Sequence, residues 1–237
     1  MPYLCINGRF YFDNKIYVMM ERRLMQTDDG SATLYVPAMD EHYHSVKGAR
    51  AEAEHIYIEM GFVYASELQN KKQLRVLEVG LGTGLNALLT QERCSLEKLF
   101  VHYIAVELYP LTWDEVSPLG YSDSVAFREL HSSAWEEDVA LTEYFKIRKL
   151  QSDIKDVNIA PVDVIFYDAF APEKQPEMWT LELMQKMYQL LAPNGVLTTY
   201  CAKGVVRRML KQVGFKVERL AGPVGGKREI LRAIKVE

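Results

Sequence analysis

The stretch Leu74-Arg-Val-Leu-Glu-Val-Gly-Leu-Gly-Thr-Gly-Leu-Asn-Ala-Leu-Leu89 decides the fold of this chain. An apolar, β-branched run is followed by three alternate glycines, Gly80, Gly82 and Gly84, and then by an apolar pattern typical of a helix. This order predicts a strand, a tight turn and a helix start, the arrangement of a nucleotide-binding crossover in a parallel α/β sheet. Glycines lack a Cβ atom, so the backbone can turn sharply and approach a ligand closely. We therefore expect a nucleoside-containing cofactor at this turn.

The glycine spacing distinguishes two classes of cofactor. A dinucleotide site has the pattern G-x-G-x-x-G, whereas here the third glycine comes one residue early and Leu85 occupies the fingerprint position. The pattern E-x-G-x-G-x-G from Glu78 to Gly84 instead resembles motif I of class I S-adenosylmethionine-dependent methyltransferases. In that family the acid contacts the positively charged methionyl end of the cofactor, directly or through water. A carboxylate in this place would not attract a pyrophosphate.

Two further residues are candidates for the same cofactor. Glu107 ends a second apolar run about 20 residues after the glycine turn, where these folds bind a ribose diol. A carboxylate can accept the protons of both ribose hydroxyls. Trp135 follows the third predicted strand, where class I enzymes hold the adenine ring, and packing in the core is an equally good interpretation of this tryptophan.

The predicted elements divide the chain into two parts. Residues 1–45 contain short alternating runs and the turn signal Asp29-Gly30, which predict a small N-terminal β-hairpin extension. A helix with an apolar face follows, and Gly61 is expected to end it. Residues 46–237 predict a Rossmann-like α/β methyltransferase domain, with a seven-stranded, mostly parallel sheet that ends in an antiparallel hairpin. We expect strands near 74–79, 100–107, 125–130, 162–167, 195–200, 215–220 and 228–235, and helices near 84–94, 110–117, 135–146, 176–191 and 203–213.

The composition excludes several classes of protein. The three cysteines form no C-x-x-C pair, which favours reduced thiols in a cytoplasmic protein over a disulfide or zinc framework. No apolar run is long enough to cross a membrane, and no signal-peptide pattern is present, so we expect neither a membrane partner nor export. The chain has a net charge of −4, but the segment from Cys201 onward carries ten basic and three acidic residues. This basic end has two interpretations. It is either a surface that contacts phosphates, or a solvated helix face together with an edge strand whose lysines prevent pairing with another chain.

Asp168 is the candidate for the reacting centre. It directly follows the apolar run Val162 to Tyr167, and an acid at the end of this strand would lie beside the reactive methyl group of the cofactor. An alkylamine nucleophile is mostly protonated in water because its pKa is about 10. A carboxylate binds and orients such an amine and helps to remove its proton. The alternative interpretation is that Asp168 only caps its loop.

The stretch Asp168-Ala-Phe-Ala-Pro-Glu-Lys-Gln-Pro-Glu-Met-Trp179 resembles the signature D-[GA]-F-[AS]-P-x-K-x-P-[ED]-[ML]-W of MnmC-like tRNA methyltransferases. Other segments agree with it: Leu77–Asn86, Gly226–Glu229, and the N-terminal Asp29–Ser31, Glu41–Ser45 and Gly48-Ala49. The resemblance implies methyl transfer from S-adenosylmethionine to the amine of 5-aminomethyl-(2-thio)uridine, the wobble nucleoside of certain tRNAs. It also implies the tRNA anticodon arm as partner and a separate enzyme that supplies the aminomethyl group. Bifunctional members carry a flavin-dependent oxidase domain, which this chain has no room for, so we expect no flavin.

Further residues are candidates for contact with the tRNA. Tyr43 and His44 belong to the N-terminal segment of the family and are expected at the substrate mouth. Phe170, Trp179 and Tyr200 are aromatic residues near strand ends and suit stacking on an extruded uridine, although Trp179 also has the spacing of a core residue. The basic candidates for phosphate contacts are Lys203, Arg207, Arg208, Lys227 and Arg228.

Two other functions are consistent with the sequence. One is a small-amine transferase of the spermidine-synthase type, which also uses an acid after the fourth strand and acts on putrescine with a decarboxylated cofactor. The other is a non-catalytic cofactor-binding module that presents its basic end to RNA, and it predicts salt-sensitive tRNA binding without methyl transfer. A metal function is not expected, because His42 and His44 alternate on an extended segment without a third ligand.

Overall fold

The computed structural model describes residues 4–6, 9–12, 15–18, 21–28 and 30–236, with the backbone alone for the segments before residue 21. The N-terminal part forms two three-stranded antiparallel sheets. Their strands are β1 (Leu4–Ile6), β2 (Arg9–Phe12), β3 (Lys15–Val18), β4 (Arg23–Gln26), β5 (Ala32–Val36) and β6 (Glu41–His42). These pairs agree with the short hairpins expected there, whereas the boundary at residue 45 stays a prediction. Asp29 of the expected turn lies outside the described residues, and Gly30 has a left-handed φ of 82°.

A continuous helical rod connects the N-terminal part to the main sheet. It consists of α1 (Ala49–Ala53), a π-helical segment (Glu54–Val63) and α2 (Tyr64–Gln69). The prediction that Gly61 ends this helix is wrong, because the rod continues to Asn70, which caps it with a left-handed φ of 47°. Gly61 lies where the rod crosses the sheet, and a Cβ there would be 2.8 Å from Thr198 Oγ1. The glycine therefore permits a close approach of helix and sheet.

The main sheet has eight strands in the order β13-β14-β12-β11-β7-β8-β10-β9. The strands are β7 (Gln73–Val79), β8 (Phe100–Val106), β9 (Asp138–Ala140), β10 (Phe145–Leu150), β11 (Val162–Tyr167), β12 (Leu191–Thr199), β13 (Lys216–Ala221) and β14 (Glu229–Ile234). Five neighbouring strands, from β12 to β10, are parallel, and β14 and β13 complete the sheet as an antiparallel hairpin. The expected Rossmann-like methyltransferase sheet is confirmed, with the short β9 as an additional antiparallel edge.

Two predicted elements between residues 125 and 146 are wrong. The segment expected to be the third strand is a helix, because the Ser124 side chain accepts a hydrogen bond from the Phe127 amide at 3.1 Å and caps its first turn. Phe127 and Leu130, one helical turn apart, are the buried residues of this helix. The expected helix 135–146 is replaced by β9 and the start of β10, in which Phe145 and Ile147 alternate into the core. The third parallel strand is therefore β10.

Helices cover both faces of the sheet. They are α3 (Leu85–Glu97), α4 (Trp113–Val116), α5 (Val125–Ser132), α6 (Leu181–Leu190) and α7 (Gly204–Val213). One buried cluster lies between the sheet, the helical rod and α3, and a second lies between the opposite face, α6 and α7. A third, smaller cluster joins β5 to α3, α4 and α5. The chain leaves β7 toward β8 on one side and later adds β11 on the other side. This reversal opens a crevice at the carboxyl ends of the central strands, where such sheets bind their ligands.

Candidate active site

A cavity of about 500 Å³ lies at the carboxyl ends of four parallel strands. Its walls come from the N-terminal segment and from the segments that follow β7, β8, β10 and β11. The lining residues are Met39, Tyr43, His44, Val79–Thr83, Leu85, Asn86, Val106–Tyr109, Ser152–Ile154, Asp168–Phe170, Gln175, Glu177 and Met178. Its volume is within the range of small-molecule sites. Residues from five separate parts of the chain thus meet at the place where the fold favours a ligand.

The glycine loop contributes two of its three glycines to the cavity. Gly80 and Gly82 line it with left-handed φ values of 89° and 49°. A Cβ on Gly82 would be 3.1 Å from Cδ1 of Tyr43. Gly84 does not line the cavity, and a Cβ there would be 2.7 Å from His131 Nε2. Packing of α5 against the loop therefore requires Gly84, whereas Gly80 and Gly82 keep the cavity side of the loop open.

Glu107, the predicted ribose ligand, lines the cavity and connects two loops. Its Oε2 accepts a hydrogen bond from the Gly82 amide at 3.0 Å, and its Oε1 accepts one from the Tyr109 amide at 2.8 Å. Each carboxylate oxygen has a second lone pair for a ligand hydroxyl. The position of the carboxylate is thus set by the backbone on both sides of the crevice.

Asn86, in the first turn of α3, links two carboxyl groups. Its Nδ2 donates to Glu78 Oε1 and to Asp168 Oδ2, each at 2.9 Å. Glu78 is fully buried and does not line the cavity, so it lies behind Asn86 rather than on the wall. Burial raises the pKa of Glu78 well above its ordinary value, and the nearby Asp168 adds to this rise. Within the described residues, Asn86 Oδ1 is buried without a hydrogen-bond partner, and because Asn86 lines the cavity this oxygen is an acceptor for a ligand with N–H groups.

Asp168 lines the cavity and is held at both carboxylate oxygens. The Tyr57 hydroxyl donates to Oδ1 at 2.6 Å, and Asn86 donates to Oδ2. Burial raises the pKa of Asp168 to about 6, and the two hydrogen bonds oppose this rise. The carboxyl group is therefore a stronger base than an ordinary aspartate and is still mostly ionised at pH 7. Sequence reasoning did not identify Tyr57, because its contact joins residues 111 positions apart and no local pattern marks it.

Two aromatic rings form a corner of the cavity. The Tyr43 and Phe170 rings meet edge to face with centroids 5.3 Å apart. The Tyr43 hydroxyl accepts a hydrogen bond from Arg22 Nε at 3.2 Å, and Arg22 forms an ion pair with Glu115 at 2.8 Å. This chain of contacts holds the N-terminal segment against the main domain.

His44 lies beside this corner as a neutral residue. Its Nε2 is 2.6 Å from the Thr83 hydroxyl, and it lines the cavity. Burial lowers the pKa of His44 to about 4, so the imidazole carries no charge at neutral pH. Both N-terminal residues expected at the substrate mouth are thus placed on the cavity wall.

Trp179 and Tyr200 anchor the loop that carries Asp168. Trp179 Nε1 donates to the Phe170 carbonyl at 2.7 Å, and the Tyr200 hydroxyl donates to the Ala169 carbonyl at 2.9 Å. Neither ring lines the cavity, and Trp179 is buried in the core. The structure therefore does not bring Tyr200 to the place where it was expected to stack on a base.

Trp135 is also absent from the cavity wall. Its expected position depended on a third strand near residue 125, whereas the third parallel strand is β10. The ring lies next to Lys149, whose Nζ is 4.9 Å from its centroid. The segment that follows the true third strand is Ser152–Ile154, which does line the cavity. The alternating residues of β10 were the signal in the sequence that identifies this segment.

The basic candidates lie outside the cavity. Lys203 forms an ion pair with Glu173, and Lys227 forms one with Glu52. Lys227 also lies over the Tyr200 ring, with Nζ 4.5 Å from the centroid. Arg228 is exposed in the loop before β14. Within residues 21–28 and 30–236, no cluster of three His, Cys, Asp or Glu residues could hold a metal ion, and none of the described helices could span a membrane.

Comparison with known proteins agrees with this geometry. The profile of an S-adenosyl-L-methionine-dependent methyltransferase family matches residues 126–236. The tRNA 5-methylaminomethyl-2-thiouridine biosynthesis bifunctional protein MnmC of Pseudomonas savastanoi pv. phaseolicola is 31% identical over 208 residues, which are 80% of this chain and 31% of that protein. The protein of the same name from Pseudomonas fluorescens is 33% identical over 217 residues, 81% of this chain and 32% of that protein. The chain thus spans about a third of the length of the curated relatives it matches.

A solved structure is similar over most of the chain. MNMC2 from Aquifex aeolicus has a TM-score of 0.76 and 28% sequence identity, and the match covers 90% of this chain and 70% of that one. The sheet, the glycine loop and the acid after β11 are the parts that position the cavity. These matches support an MnmC-like class I S-adenosylmethionine-dependent methyltransferase domain.

Proposed function

We propose that this domain methylates the amine of 5-aminomethyl-(2-thio)uridine at the wobble position of tRNA. The observation that supports it most is that Asp168 lines the same cavity as the glycine loop and Glu107, with both its oxygens hydrogen-bonded. In this proposal Asp168 is the carboxylate that binds the amine, beside the site of the cofactor. The names of the relatives refer to the biosynthesis of the methylated nucleoside. The partner is the tRNA anticodon arm in the cytoplasm, and a separate enzyme installs the aminomethyl group beforehand.

The residues of the cavity fit S-adenosylmethionine, which supplies an electrophilic methyl group on a positively charged sulfur when it is bound. Gly80 and Gly82 leave space for it beside the backbone, and Glu107 has lone pairs for the ribose hydroxyls. The unpaired Oδ1 of Asn86 suits an N–H group of its cationic amino end, and Glu78 would act from behind by holding Asn86 in place. The adenine would contact the segment after β10, with the Asp153 carboxylate as an acceptor, instead of Trp135.

Asp168 prepares the amine for reaction. An alkylammonium with a pKa of about 10 must lose a proton before its nitrogen has a free lone pair. Because the pKa of Asp168 is raised to about 6, its carboxylate accepts this proton more readily than an ordinary aspartate does. Bound S-adenosylmethionine would supply the methyl group, so that an N–C bond would form as the S–C bond breaks, and Asp168 would pass the proton of the amine to solvent. Orientation of the amine by the fixed carboxylate supplies the alignment that this displacement needs.

The substrate base would be held by the aromatic corner of the cavity. Tyr43 and Phe170 offer ring faces and edges to a uridine extruded from the anticodon loop. The basic residues outside the cavity would contact phosphates of the anticodon stem, and these are Lys203, Arg207, Arg208, Lys227 and Arg228. Of these, Lys203 and Lys227 would exchange their present carboxylate partners for phosphates.

The test is methyl transfer from labelled S-adenosylmethionine to tRNA from cells that lack this methylation, followed by mass analysis of the nucleosides. We expect one methyl group on 5-aminomethyl-2-thiouridine. Asp168→Asn should keep cofactor binding and lose at least about 100-fold in rate, because the amide cannot accept the proton. Asp114→Asn, on the exposed face of α4, is the matched control and should keep the wild-type rate. Methylation of diamines in place of tRNA, or a normal rate for Asp168→Asn, would overturn the proposal.

A further inference from the structure

The helical rod before the main sheet reaches the reacting centre. Tyr57, in its π-helical segment, donates its hydroxyl hydrogen to Asp168 Oδ1 at 2.6 Å. The rod lies outside residues 126–236, which the family profile matches, and outside both motifs that identify the site. π-helical turns in proteins occur frequently at functional sites. The contact therefore raises the question of what Tyr57 does for the aspartate.

The position of the Tyr57 hydroxyl is set by the burial of the residue and by the contact of its ring with β11. The side chain is 3% exposed, and its ring lies 5.4 Å from the Phe166 ring, centroid to centroid. The rod can come this close to the sheet because Gly61 faces Thr198 without a side chain. Phe166 is two residues before Asp168 on β11, so the ring and the carboxylate are positioned by the same strand. The helical rod therefore holds the hydroxyl, and β11 holds the carboxylate that accepts its hydrogen bond.

The second carboxylate oxygen is held by another neutral donor. Asn86 donates to Oδ2 and is itself fixed by its hydrogen bond to Glu78. A carboxylate has about four lone-pair sites, so one hydrogen bond on each oxygen leaves capacity on both for the amine. Burial raises the pKa of the Tyr57 phenol well above its ordinary value, so the phenol stays protonated and remains a donor. Two permanent donors therefore fix the plane of the carboxylate without neutralising its charge.

We infer that Tyr57 is a positioning residue of the methyl transfer, which holds the Asp168 carboxylate in the orientation that receives the substrate amine. This inference rests on the proposed function, because it assigns to Asp168 the role of amine acceptor. Tyr57 acts through Asp168 and does not line the cavity. It follows that loss of the hydroxyl should change the amine chemistry and leave the cofactor affinity intact.

Several other groups influence the protonation of Asp168. They come from the rod, the central strands, the end of β12 and the loop before β14, and they are Glu52, Glu78, Tyr103, Tyr200 and Lys227. Glu52 and Lys227 form an ion pair, so their opposite effects on Asp168 partly cancel. A Tyr57→Phe substitution leaves all of these groups in place and removes one hydroxyl. A change in the pH profile then reports the hydrogen bond to Asp168.

The experiment compares wild type, Tyr57→Phe, Asp168→Asn and the double variant in methyl transfer to tRNA between pH 5 and 8. We expect Tyr57→Phe to lower kcat by about tenfold, since carboxylate orientation controls proton removal. The acidic limb of kcat/KM should move up by about one pH unit, because a hydrogen bond to the charged form is lost. Addition of Tyr57→Phe to Asp168→Asn should cost nothing more, since both act through one group. Calorimetric affinity for S-adenosylmethionine should stay within about twofold of wild type and also verifies the fold.

The control is Tyr64→Phe, which removes a hydroxyl from the same rod at a ring that packs against the Arg232 guanidinium, 3.4 Å from the centroid. It should keep the wild-type rate and pH profile. Two results would overturn the inference while the proposed function stands. One is an unchanged rate and pH profile for Tyr57→Phe. The other is that Tyr57→Phe lowers the rate by the same factor in wild type and in Asp168→Asn. A wild type that binds the cofactor but does not methylate tRNA would overturn the proposed function and this inference together.

Discussion

Gly82 and Tyr43 lie against each other in the wall of the cavity, and a Cβ on Gly82 would be 3.1 Å from Cδ1 of the ring. The N-terminal segment thus reaches over the glycine loop and leaves no room for a side chain there. The amide of Gly82 simultaneously donates to Glu107 at 3.0 Å. One residue therefore connects the N-terminal segment, the glycine loop and the predicted ribose ligand.

Gly82→Ala should weaken S-adenosylmethionine binding by about tenfold or more, because the methyl group must displace Tyr43 and strain a backbone at positive φ. Isothermal titration calorimetry measures this affinity. Gly120→Ala is the matched control, since it also has a positive φ, of 65°, but nothing lies within 4 Å of its Cβ. An equal loss of affinity in both variants would show that backbone strain alone explains the effect.

Arg22→Met should weaken cofactor binding and lower the free energy of unfolding by about 1–3 kcal/mol, because it breaks charge-assisted hydrogen bonds and leaves Tyr43 and Glu115 without their partner. The side chain of Arg22 is 11% exposed. The neighbouring Arg23 forms an exposed ion pair with Glu21, so Arg23→Met should cost less than about 1 kcal/mol. Chemical denaturation distinguishes the two, and equal stabilities would contradict the role of Arg22.

Gly61→Ala should destabilise the protein, although the same change inside an ordinary helix stabilises it by about 1 kcal/mol. The new Cβ would be 2.8 Å from Oγ1 of Thr198, which is fully buried and β-branched. Overpacking of this kind costs about 1–3 kcal/mol, so a net loss of about 1 kcal/mol is expected in denaturant unfolding. Glu67→Ala, on the exposed side of the rod, serves as the control. A more stable Gly61→Ala protein would show that the rod does not contact β12 this closely.

Lys149 should make the stability of the protein depend on pH in the alkaline range. It is 1% exposed, donates to the His131 carbonyl at 2.9 Å and has no carboxylate partner among the described residues. Burial lowers the pKa of Lys149 to about 8. Between this value and an unfolded pKa of about 10.4, the unfolded chain binds more protons, so stability should rise with pH by up to about 3 kcal/mol.

Lys149→Met removes this titration while keeping the length of the side chain. The difference in unfolding free energy between wild type and Lys149→Met should therefore shift in favour of wild type from pH 8 to pH 10.5. Denaturant titrations at fixed ionic strength measure it. A difference that does not change with pH would mean that the ammonium is solvated in the folded protein.

Methyl transfer should require the ionised form of Asp168. Because the pKa of this carboxyl group is about 6, kcat/KM should fall about tenfold per pH unit below pH 6 and level off above pH 7. His44 does not contribute to this limb, since its pKa is lowered to about 4. Rates at low tRNA concentration, measured in buffers of constant ionic strength, give the profile. A flat profile from pH 5 to 7 would exclude Asp168 as the proton acceptor.

The elements with strong local signals were predicted correctly from the sequence. The crossover from β7 to α3, the acid at the end of β11 and the terminal hairpin each depend on residues that are close together along the chain. The errors lie at Gly61 and between residues 125 and 146, where the local pattern was compatible with more than one structure. At Gly61 the approach of β12 explains the glycine, and at Val125–Ser132 a serine cap and two buried residues on one face produce a helix.

The candidate site was identified in part from the sequence. Seven of the predicted site residues line the cavity, and their functional roles stay predictions. They are Tyr43, His44, Gly80, Gly82, Glu107, Asp168 and Phe170. Glu78 and Gly84 lie behind its wall, and Trp135 and Tyr200 pack elsewhere. A motif identifies residues near a ligand, but whether a side chain faces the ligand or the core depends on what packs behind it.

The sequence by itself determined the class of fold and the type of cofactor and predicted Asp168 as the acid of the reaction, because each is encoded in a short run of neighbouring residues. Only the tertiary structure decided that Tyr57 and Asn86 hold that acid, that Tyr43 covers Gly82 and that Ser152–Ile154 complete the cavity. These contacts join distant positions, 111 residues apart for Tyr57 and Asp168, and form only when the rod and the strands pack together. Packing also buries much of Asp168 and raises its pKa, so the basicity of the acid is a property of the fold rather than of the motif.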